Sequence, residues 1–555
     1  MRPSEFRCVK ADTKMTIFDL ENSDVASAFS CETVIIGAGA VGITMAAELA
    51  RRGHDVILLE AGGVSLESQS QGIFTNARSS GFNLTGLHSG RFRLLGGTTN
   101  FWGGQLVPFD PIVFEGRPAF DIEPWPFDRR TLDPYYARAM TLLGMDGCEP
   151  SDADVWARAN TKPPDFDAEV ELFLTRWAKT PNLAKFFKAD LSSLPVRVLV
   201  HANVCGFEPG DTGERIARVH MRTFGGRRAT VTARRTVLAC GTIEIARLLM
   251  MPYVDGRQTP WNDNAWLGRG YIDHLDTTAG TVVPKNRETF HNLFENLFFD
   301  GYKYNPKIKL SERAQRERSL LGIAGAFLFK TSYQDHAENI KLFLRSVRDG
   351  RLPPNWWQLP GHALALAKVL GPLAYRYLHD NRTFHPSGSA ILFRVTSEQL
   401  PQRDSRITLQ RERDALGMPL VDVNWKVDGV ELETIAYFSE QVRDALKKAG
   451  IADLELEKTL VARDPAYLAD ASDTYHQMGG ARMGRDAGDG VVDRNLRVHG
   501  ITDLYVAGAA VMPSTGYANC TLTAIALGLR LCDHMLGEQA AERLDDLLVP
   551  LEAAL

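Results

Sequence analysis

Apolar positions along the chain follow two regimes. In one, short unbroken runs appear: Val34-Ile35-Ile36, Val56-Ile57-Leu58-Leu59, Val237-Leu238-Ala239 and Leu504-Tyr505-Val506-Ala507. They have the length and branched character of strands buried on both faces of a parallel sheet. After the first run, residues 43–52 predict a helix closed by Gly53; after the third, Cys240-Gly241-Thr242 predicts a turn into a helix over 243–250. A strand around 196–204 and a long helix over 522–536 extend this layer. Between 276 and 470 the pattern alternates instead, as in residues 390–395 (AILFRV) and 406–409 (RITL), and a long helix is predicted over 432–449. Alternation with flanking helices suits an antiparallel sheet covered on one face. A further helix is predicted over 132–143, and a short strand at 15–18 within an otherwise tail-like 1–30.

A chain of 555 residues is too long for one compact core, so at least two domains are expected. Its 44% hydrophobic and 24% charged residues are those of an ordinary globular protein, and a net charge of −5 argues against nucleic-acid partners. Seven cysteines (Cys8, Cys31, Cys148, Cys205, Cys240, Cys520, Cys532) stand singly, with no C-x-x-C pair. That pattern predicts free thiols, no structural zinc and a reducing compartment. The first 24 residues lack the apolar core of a signal peptide, so a cytoplasmic location is expected. The most lipid-like stretch, residues 356–377, is broken by Pro360, Lys368, Pro372 and Arg376. It reads as an amphipathic helix packed on the protein in preference to one lying on a membrane. The role of residues 335–380 stays open.

The first two apolar runs bracket Gly37, Gly39 and Gly42 in G-x-G-x-x-G spacing, and the second run ends at Glu60. Gly37 permits the tight turn, Gly39 lets backbone approach a pyrophosphate, and Gly42 lets helix and strand pack closely. A helix N-terminus offers N–H groups and a positive dipole end to phosphates, and Glu60 stands where a carboxylate meets a ribose hydroxyl. Residues 91–111 hold Gly96-Gly97 and Gly103-Gly104 around Phe101-Trp102, predicting a buried loop facing a cofactor in preference to a surface turn. Arg91 and Arg93 read equally as phosphate neighbours or surface charges. No G-x-S-x-G elbow supports a hydrolase, and no His/Cys/Asp set has metal-ligand spacing.

Four segments in order carry a family resemblance: the unit through Glu60-Ala61-Gly62, GGTTNFWGG (96–104), VLACGTIEIARLLM (237–250) with LGRGYIDH (267–274), and residues 475–535. The chain resembles the glucose–methanol–choline (GMC) oxidoreductases over most of its length, with residues 276–400 matching loosely. The pattern HxxGGxxRMG at 476–484 and Asn519 are most similar to the pyranose oxidase and bacterial glycoside dehydrogenase branch. The resemblance implies an α/β FAD-binding Rossmann-like domain plus an α+β substrate domain with an antiparallel sheet. The FAD domain is expected from 31–130, 200–275 and 470–540, the substrate domain with connecting elements from 131–199 and 276–469, and tails at 1–30 and 541–555.

The resemblance also implies oxidation of a CH–OH group, of a sugar or glycoside in this branch, with His476 as base and Asn519 binding the substrate oxygen. Beside these stand plainer readings, a histidine satisfying a turn and an asparagine capping the helix that follows. A non-sugar alcohol such as a sterol, a polyol or a biosynthetic intermediate, or a lyase that retains FAD, are the alternative functions. Around FAD the resemblance places Gly37, Gly39, Gly42, Glu60, Ala61, Gly97, Thr98, Asn100, Phe101, Trp102, Gly103, Val204, Gly241, Gly508, Ala509, Asn519, Cys520 and Thr521. Some pyranose oxidases attach FAD through a histidine in the glycine loop; Phe101 stands there in this chain, which implies non-covalent FAD. His274 and His499 read as structural, His88 and His385 as loop residues, with His385 a candidate for the substrate pocket. The implied partners are a small-molecule alcohol and an electron acceptor that no motif identifies.

Overall fold

The computed structural model describes residues 16–166, 168–331, 356–386 and 388–537. The unbroken apolar runs form one eight-stranded sheet, in the order Thr16–Asp19, Val196–Val200, Val56–Leu59, Ala28–Ile36, Arg228–Leu238, Ile216–Arg222, Asn203–Pro209. Leu504–Val506 pairs in parallel with the last residues of Arg228–Leu238. Parallel pairing runs from Thr16–Asp19 through Arg228–Leu238 to Leu504–Val506, with Ile36 opposite both Leu59 and Leu238, and Leu238 opposite Val506. The carboxyl ends of these strands therefore open along one edge. In an open parallel sheet that edge is where ligands bind.

Two helices, Ala40–Arg51 and Cys520–Leu536, pack on this sheet and against each other. Gly528 makes their approach possible: a Cβ there would meet Val41 Cγ1 at 3.0 Å and Met45 Cγ at 3.1 Å. The short strand expected at 15–18 is Thr16–Asp19, and it joins the sheet with a full parallel neighbour in Arg197–Val200. The single strand expected over 196–204 is two strands, because His201 takes positive φ (52°) and turns the chain. Its ring is held there by Asp19 at 2.7 Å and Glu67 at 2.9 Å.

The second sheet is antiparallel and runs Ala452–Leu456, Leu275–Pro284, Ala390–Ser397, Ile323–Lys330, Tyr302–Leu310, Val170–Trp177, Gln105–Leu106. One face, carrying Ile308, Leu310, Phe327, Phe393 and Val395, forms a core with Leu432, Ile435, Phe438 and Val442 of the helix Val430–Lys448. The other face turns toward the first sheet's open edge: Phe173 meets Tyr517 with ring centroids 5.8 Å apart. Residues 406–409, expected in this sheet, instead join a three-stranded sheet of Arg406–Arg413, Pro419–Asn424 and Arg78–Ser79. That small sheet packs Ile407, Val421, Val423 and Trp425 over Ile243 and Ala246 of the helix Thr242–Leu249.

The helix Leu359–His379 has no buried side chain. It is tied at its last turns, where Arg376 contacts Glu295 (2.9 Å) and Asn292 (2.8 Å) and Tyr377 meets Phe298 at 5.0 Å. The expected packed amphipathic helix is thus packed only at its end. Among the described residues no helix is long and apolar enough to cross a membrane. The six described cysteines are free thiols; Cys8, the 541–555 tail and residues 335–355 lie outside the described residues.

Since the first sheet needs strands from residues 28 to 506, a fragment ending near residue 150 should hold no flavin. Expressing residues 1–150 and measuring bound flavin absorbance tests this; a flavin-loaded fragment would show the cofactor domain to be contiguous.

Candidate functional site

A cavity of about 670 Å³ opens at the carboxyl edge of the first sheet, with Ile36, Leu59, Ala239 and Ala507 at its strand ends. Gly37 takes φ +107°, and a Cβ on it would come within 2.6 Å of the Ala239 carbonyl oxygen. Gly39 begins the helix Ala40–Arg51 without a side-chain cap, and a Cβ there would meet nothing within 4 Å. Gly97 of the second glycine loop comes close, its added Cβ lying 3.1 Å from Gly39 Cα. Gly42 does not line the cavity. Its Cβ would sit 1.9 Å from the Gly37 carbonyl oxygen, so it shapes the turn from behind.

Glu60 is buried at the end of its strand and accepts hydrogen bonds from Gly62 N–H (2.9 Å) and Ala38 N–H (3.2 Å). Burial pushes its carboxyl up to about 7, against the pull of those N–H groups and of Arg93. Arg91 and Arg93 are cavity residues, largely buried, not surface charges. Arg91 lies over Phe74 at 3.9 Å and donates to the Leu87 carbonyl, while Arg93 bonds Asn203 Oδ1 and Ser70 Oγ. Beside them Arg247 pairs with Glu244 (3.1 Å) and Asp414 (2.7 Å), a charged cluster of the cavity wall that no motif signalled.

In the second glycine loop, Gly97, Thr98, Phe101, Trp102 and Gly103 line the cavity, and Asn100 does not. Asn100 shapes the loop, donating to the Leu95 and Gly97 carbonyls and accepting from Asn182 at 2.7 Å. Phe101 was expected to be buried, yet it is 54% exposed, stacked on Phe92 (3.8 Å) with its other surroundings open to the cavity. The remaining sequence candidates, Ala61, Val204, Gly241, Gly508, Ala509, Cys520 and Thr521, also line it.

His476 and Asn519 meet on the same wall. Asn519 Nδ2 lies 2.7 Å from His476 Nε2, and Thr474 Oγ1 lies 2.6 Å from Nδ1. The Thr474 hydroxyl also lies 2.9 Å from the Asp273 carboxylate. A hydroxyl has one proton, and the carboxylate is its natural recipient. Thr474 then accepts from His476 Nδ1–H, which leaves the Nε2 lone pair to accept from Asn519 Nδ2–H. Burial drives the His476 imidazole well below its ordinary range, with the neighbouring His274 and Lys307 adding to the effect. Neutral imidazole with a free Nε2 lone pair is the form a proton acceptor needs. Asn519 occupies the cap position of the helix Cys520–Leu536 but makes no side-chain cap hydrogen bond. The cap reading of its side chain therefore gives way.

His274 belongs to this cluster. It is fully buried with Nδ1 3.1 Å from His476 Nδ1, and burial pushes its own titration down to about 3. The sequence held His274 within YIDH, but nothing in its spacing from residue 476 signalled contact across 202 positions. His385 lies outside the cavity, bonded to Glu295 at 3.0 Å and stacked on Phe329 at 4.4 Å.

These features fit FAD. Gly39 and Gly97 leave a backbone cradle, Glu60 faces the cavity, and the helices Ala40–Arg51 and Cys520–Leu536 both begin at its wall without side-chain caps. Comparison with known proteins agrees: residues 32–272 match the family model of FAD dependent oxidoreductases, and residues 401–528, with His476 and Asn519, that of GMC oxidoreductases. The chain is an FAD-dependent oxidoreductase acting on CH–OH groups, with FAD as its cofactor. It belongs to the GMC oxidoreductase family.

Among its relatives, paromamine 6'-oxidase of Streptomyces fradiae is 23% identical over 562 aligned positions covering 91% of each chain. The fructose dehydrogenase large subunit of Gluconobacter japonicus is 32% identical over 142 residues, 25% of this chain and 24% of that one. A solved formate oxidase of Aspergillus oryzae shares the fold, with TM-score 0.55 at 16% identity over 92% of this chain and 99% of that one.

The two glycines predict opposite phenotypes. Gly42→Ala should lower stability by about 1–3 kcal/mol, the usual range for an overpacked site, because backbone stands where its Cβ must go. Gly39→Ala should leave the melting temperature of the flavin-free protein unchanged and lower flavin content, since its Cβ enters the cradle. Thermal melts with flavin release on acid precipitation measure both; equal melting points would refute the assignment.

Proposed function

We propose that the protein oxidises a CH–OH group of a sugar or glycoside to the carbonyl, with His476 as the base and Asn519 as the holder of the substrate oxygen. The observation that carries this reading is the His476 Nε2–Asn519 Nδ2 approach of 2.7 Å on the cavity wall, with Nδ1 committed to Thr474. FAD supplies the hydride acceptor, its N5. His476 Nε2 takes the hydroxyl proton as the carbon gives up its hydride, while Nδ1–H remains donated to the Thr474 oxygen, whose own O–H stays hydrogen-bonded to the Asp273 carboxylate. Asn519 donates to the alcohol oxygen, which takes the place of His476 Nε2 as the acceptor of its Nδ2–H. The first N–H groups of the helix Cys520–Leu536 set positive potential at the same wall, where negative charge develops.

A sugar is favoured by the aromatic rings of Phe101, Trp102 and Trp177 lining the cavity beside the amide of Gln105, a mix of apolar surface and hydrogen-bonding groups that suits a polyhydroxylated ring. The paromamine oxidase relative supports the same class. Phe101 offers no nucleophilic nitrogen, so FAD is held non-covalently; flavin retained in an acid-precipitated pellet would overturn this.

His476→Ala should slow anaerobic flavin reduction by roughly 10²–10⁴-fold with FAD still bound. Asn519→Ala should slow it by roughly 10- to 100-fold, the worth of one hydrogen bond of about 1–3 kcal/mol, and should spare thermal stability because the side chain caps nothing. A melting temperature that falls while the reduction rate holds would return Asn519 to a structural role.

The pH profile follows from the sign of the imidazole shift. A base acts when deprotonated, and a depressed pKa extends the deprotonated form toward acid. The imidazole itself should therefore add no acid limb between about pH 8 and about pH 6; the group of this wall that titrates there is Asp273, raised to about 7. Stopped-flow reduction of the natural chain and of Asp273→Asn across that range tests it; an acid limb centred at about 6.5 or above that persists in Asp273→Asn would remove His476 as the base.

A further inference from the structure

The second sheet turns one face toward the cavity, and that face carries an excess of positive charge. Along Tyr302–Leu310 the side chains alternate, with Tyr304, Ile308 and Leu310 buried and Lys303, Lys307 and Lys309 on the other side. On the neighbouring strand Lys303 stands opposite Trp177 and Lys307 opposite Phe173. Trp177 lines the same cavity as His476, and Phe173 contacts Tyr517, two residues before Asn519.

Two of the cations on this face are already matched. Lys309 pairs with Asp110 (3.1 Å) and Glu171 (3.7 Å), and Arg394 pairs with Asp276. Lys303 and Lys307 are not. Among the described residues neither ammonium has a carboxylate within ion-pairing distance or donates a hydrogen bond; Lys303 sits over the Trp177 ring at 3.4 Å. Burial brings both down to about 8, with each other's charge adding for Lys303 and Asp276 opposing for Lys307. Lys307 is also close enough to depress His476. Two ammonium groups on a largely enclosed wall are costly unless an anion meets them. No described side chain of the wall does so; Lys303 stands behind Trp177, which lines the cavity, and Lys307 acts on His476 across the same wall.

We propose that the alcohol oxidised at His476 belongs to an acidic sugar, whose carboxylate or phosphate docks on Lys303 and Lys307. This rests on the oxidation reading above and narrows its substrate class. The same two cations repel ammonium groups, which sets this site against amino sugars. Trp177 lies under Lys303 and lines the cavity, so an acid drawn to the lysines brings its ring to the same wall. The docked acid fixes the ring from its far side, leaving His476 and Asn519 to select the hydroxyl.

The test uses the FAD-loaded full chain with glucose, glucuronate, glucose 6-phosphate and glucosamine. Half-saturation is read from anaerobic flavin reduction, or from perturbation of the flavin spectrum where a ligand does not react. At least one of the two acids should half-saturate at a concentration about tenfold or more below glucose, as a charge-assisted hydrogen bond predicts, and glucosamine above glucose. The acid that wins tells carboxylate from phosphate. In Lys303→Gln and Lys307→Gln the acid-over-glucose preference should fall at least about fivefold, and Lys303→Arg, which keeps the charge, should restore most of it. Flavin content and melting temperature establish that the variants are folded. Acids that bind no better than glucose, including no measurable binding of any ligand, overturn the proposal. Bleaching by glucose or glucosamine without acid preference sinks the anion site and keeps the oxidation; acid preference without bleaching by any ligand does the reverse.

Discussion

One oxygen atom of Asp273 joins the two halves of the active wall. Its Oδ1 accepts from His274 N–H (2.8 Å), Thr474 N–H (3.1 Å), Thr474 O–H (2.9 Å) and His476 N–H (3.1 Å). The strand Leu275–Pro284 of the second sheet starts two residues after it, and the four donors include the segment on its way back to the first sheet. Hydrogen bonds to an ionised acceptor are worth about 1.5–3 kcal/mol each, and losing them would free His476 from its tautomer and its orientation together. The carboxylate is fully buried, and burial, with Asp473 nearby, pushes it up to about 7. The wall thus depends on a charge that is held ionised only by the donors gathered around it.

A second constraint works at the level of helices. Gly528 lets the helix Cys520–Leu536 ride close over Val41 and Met45 of the helix Ala40–Arg51. Both helices begin at the cavity, so their crossing fixes where two positive dipole ends point. A larger residue at 528 would separate the helices and spread those ends apart.

Much of this was legible in the chain. Unbroken apolar runs marked the parallel strands, and the glycine spacing marked the turn into the first helix. The motif carrying His476 and Asn519 named residues that the fold brings within 2.7 Å. The misreadings have physical causes. Asn100, placed around FAD by resemblance, serves the cradle from behind, because its amide is spent on the Leu95 and Gly97 carbonyls of its own loop; Gly42 keeps the packing role its spacing implied. Arg91 and Arg93 could not be told from surface charges in the chain because their partners Glu244 and Asn203 are more than a hundred positions away. Residues 406–409 alternate like any half-buried strand, and alternation does not say which sheet a strand joins.

The order of strands in the first sheet carries a consequence for synthesis. The cradle of Gly37, Gly39 and Gly97 is complete within the first hundred residues, whereas Leu504–Val506 and the helix Cys520–Leu536 come four hundred residues later. At about 5–20 residues per second, a nascent chain spends roughly 20 to 80 s with its glycine loops made and the opposite wall still untranslated. Once Arg228–Leu238 has been made, its end that awaits Leu504–Val506 stays unpaired and apolar for the rest of that interval. Such an edge is open to strand addition by a second chain. The last strand to be translated is therefore also the one that closes the nascent protein against aggregation.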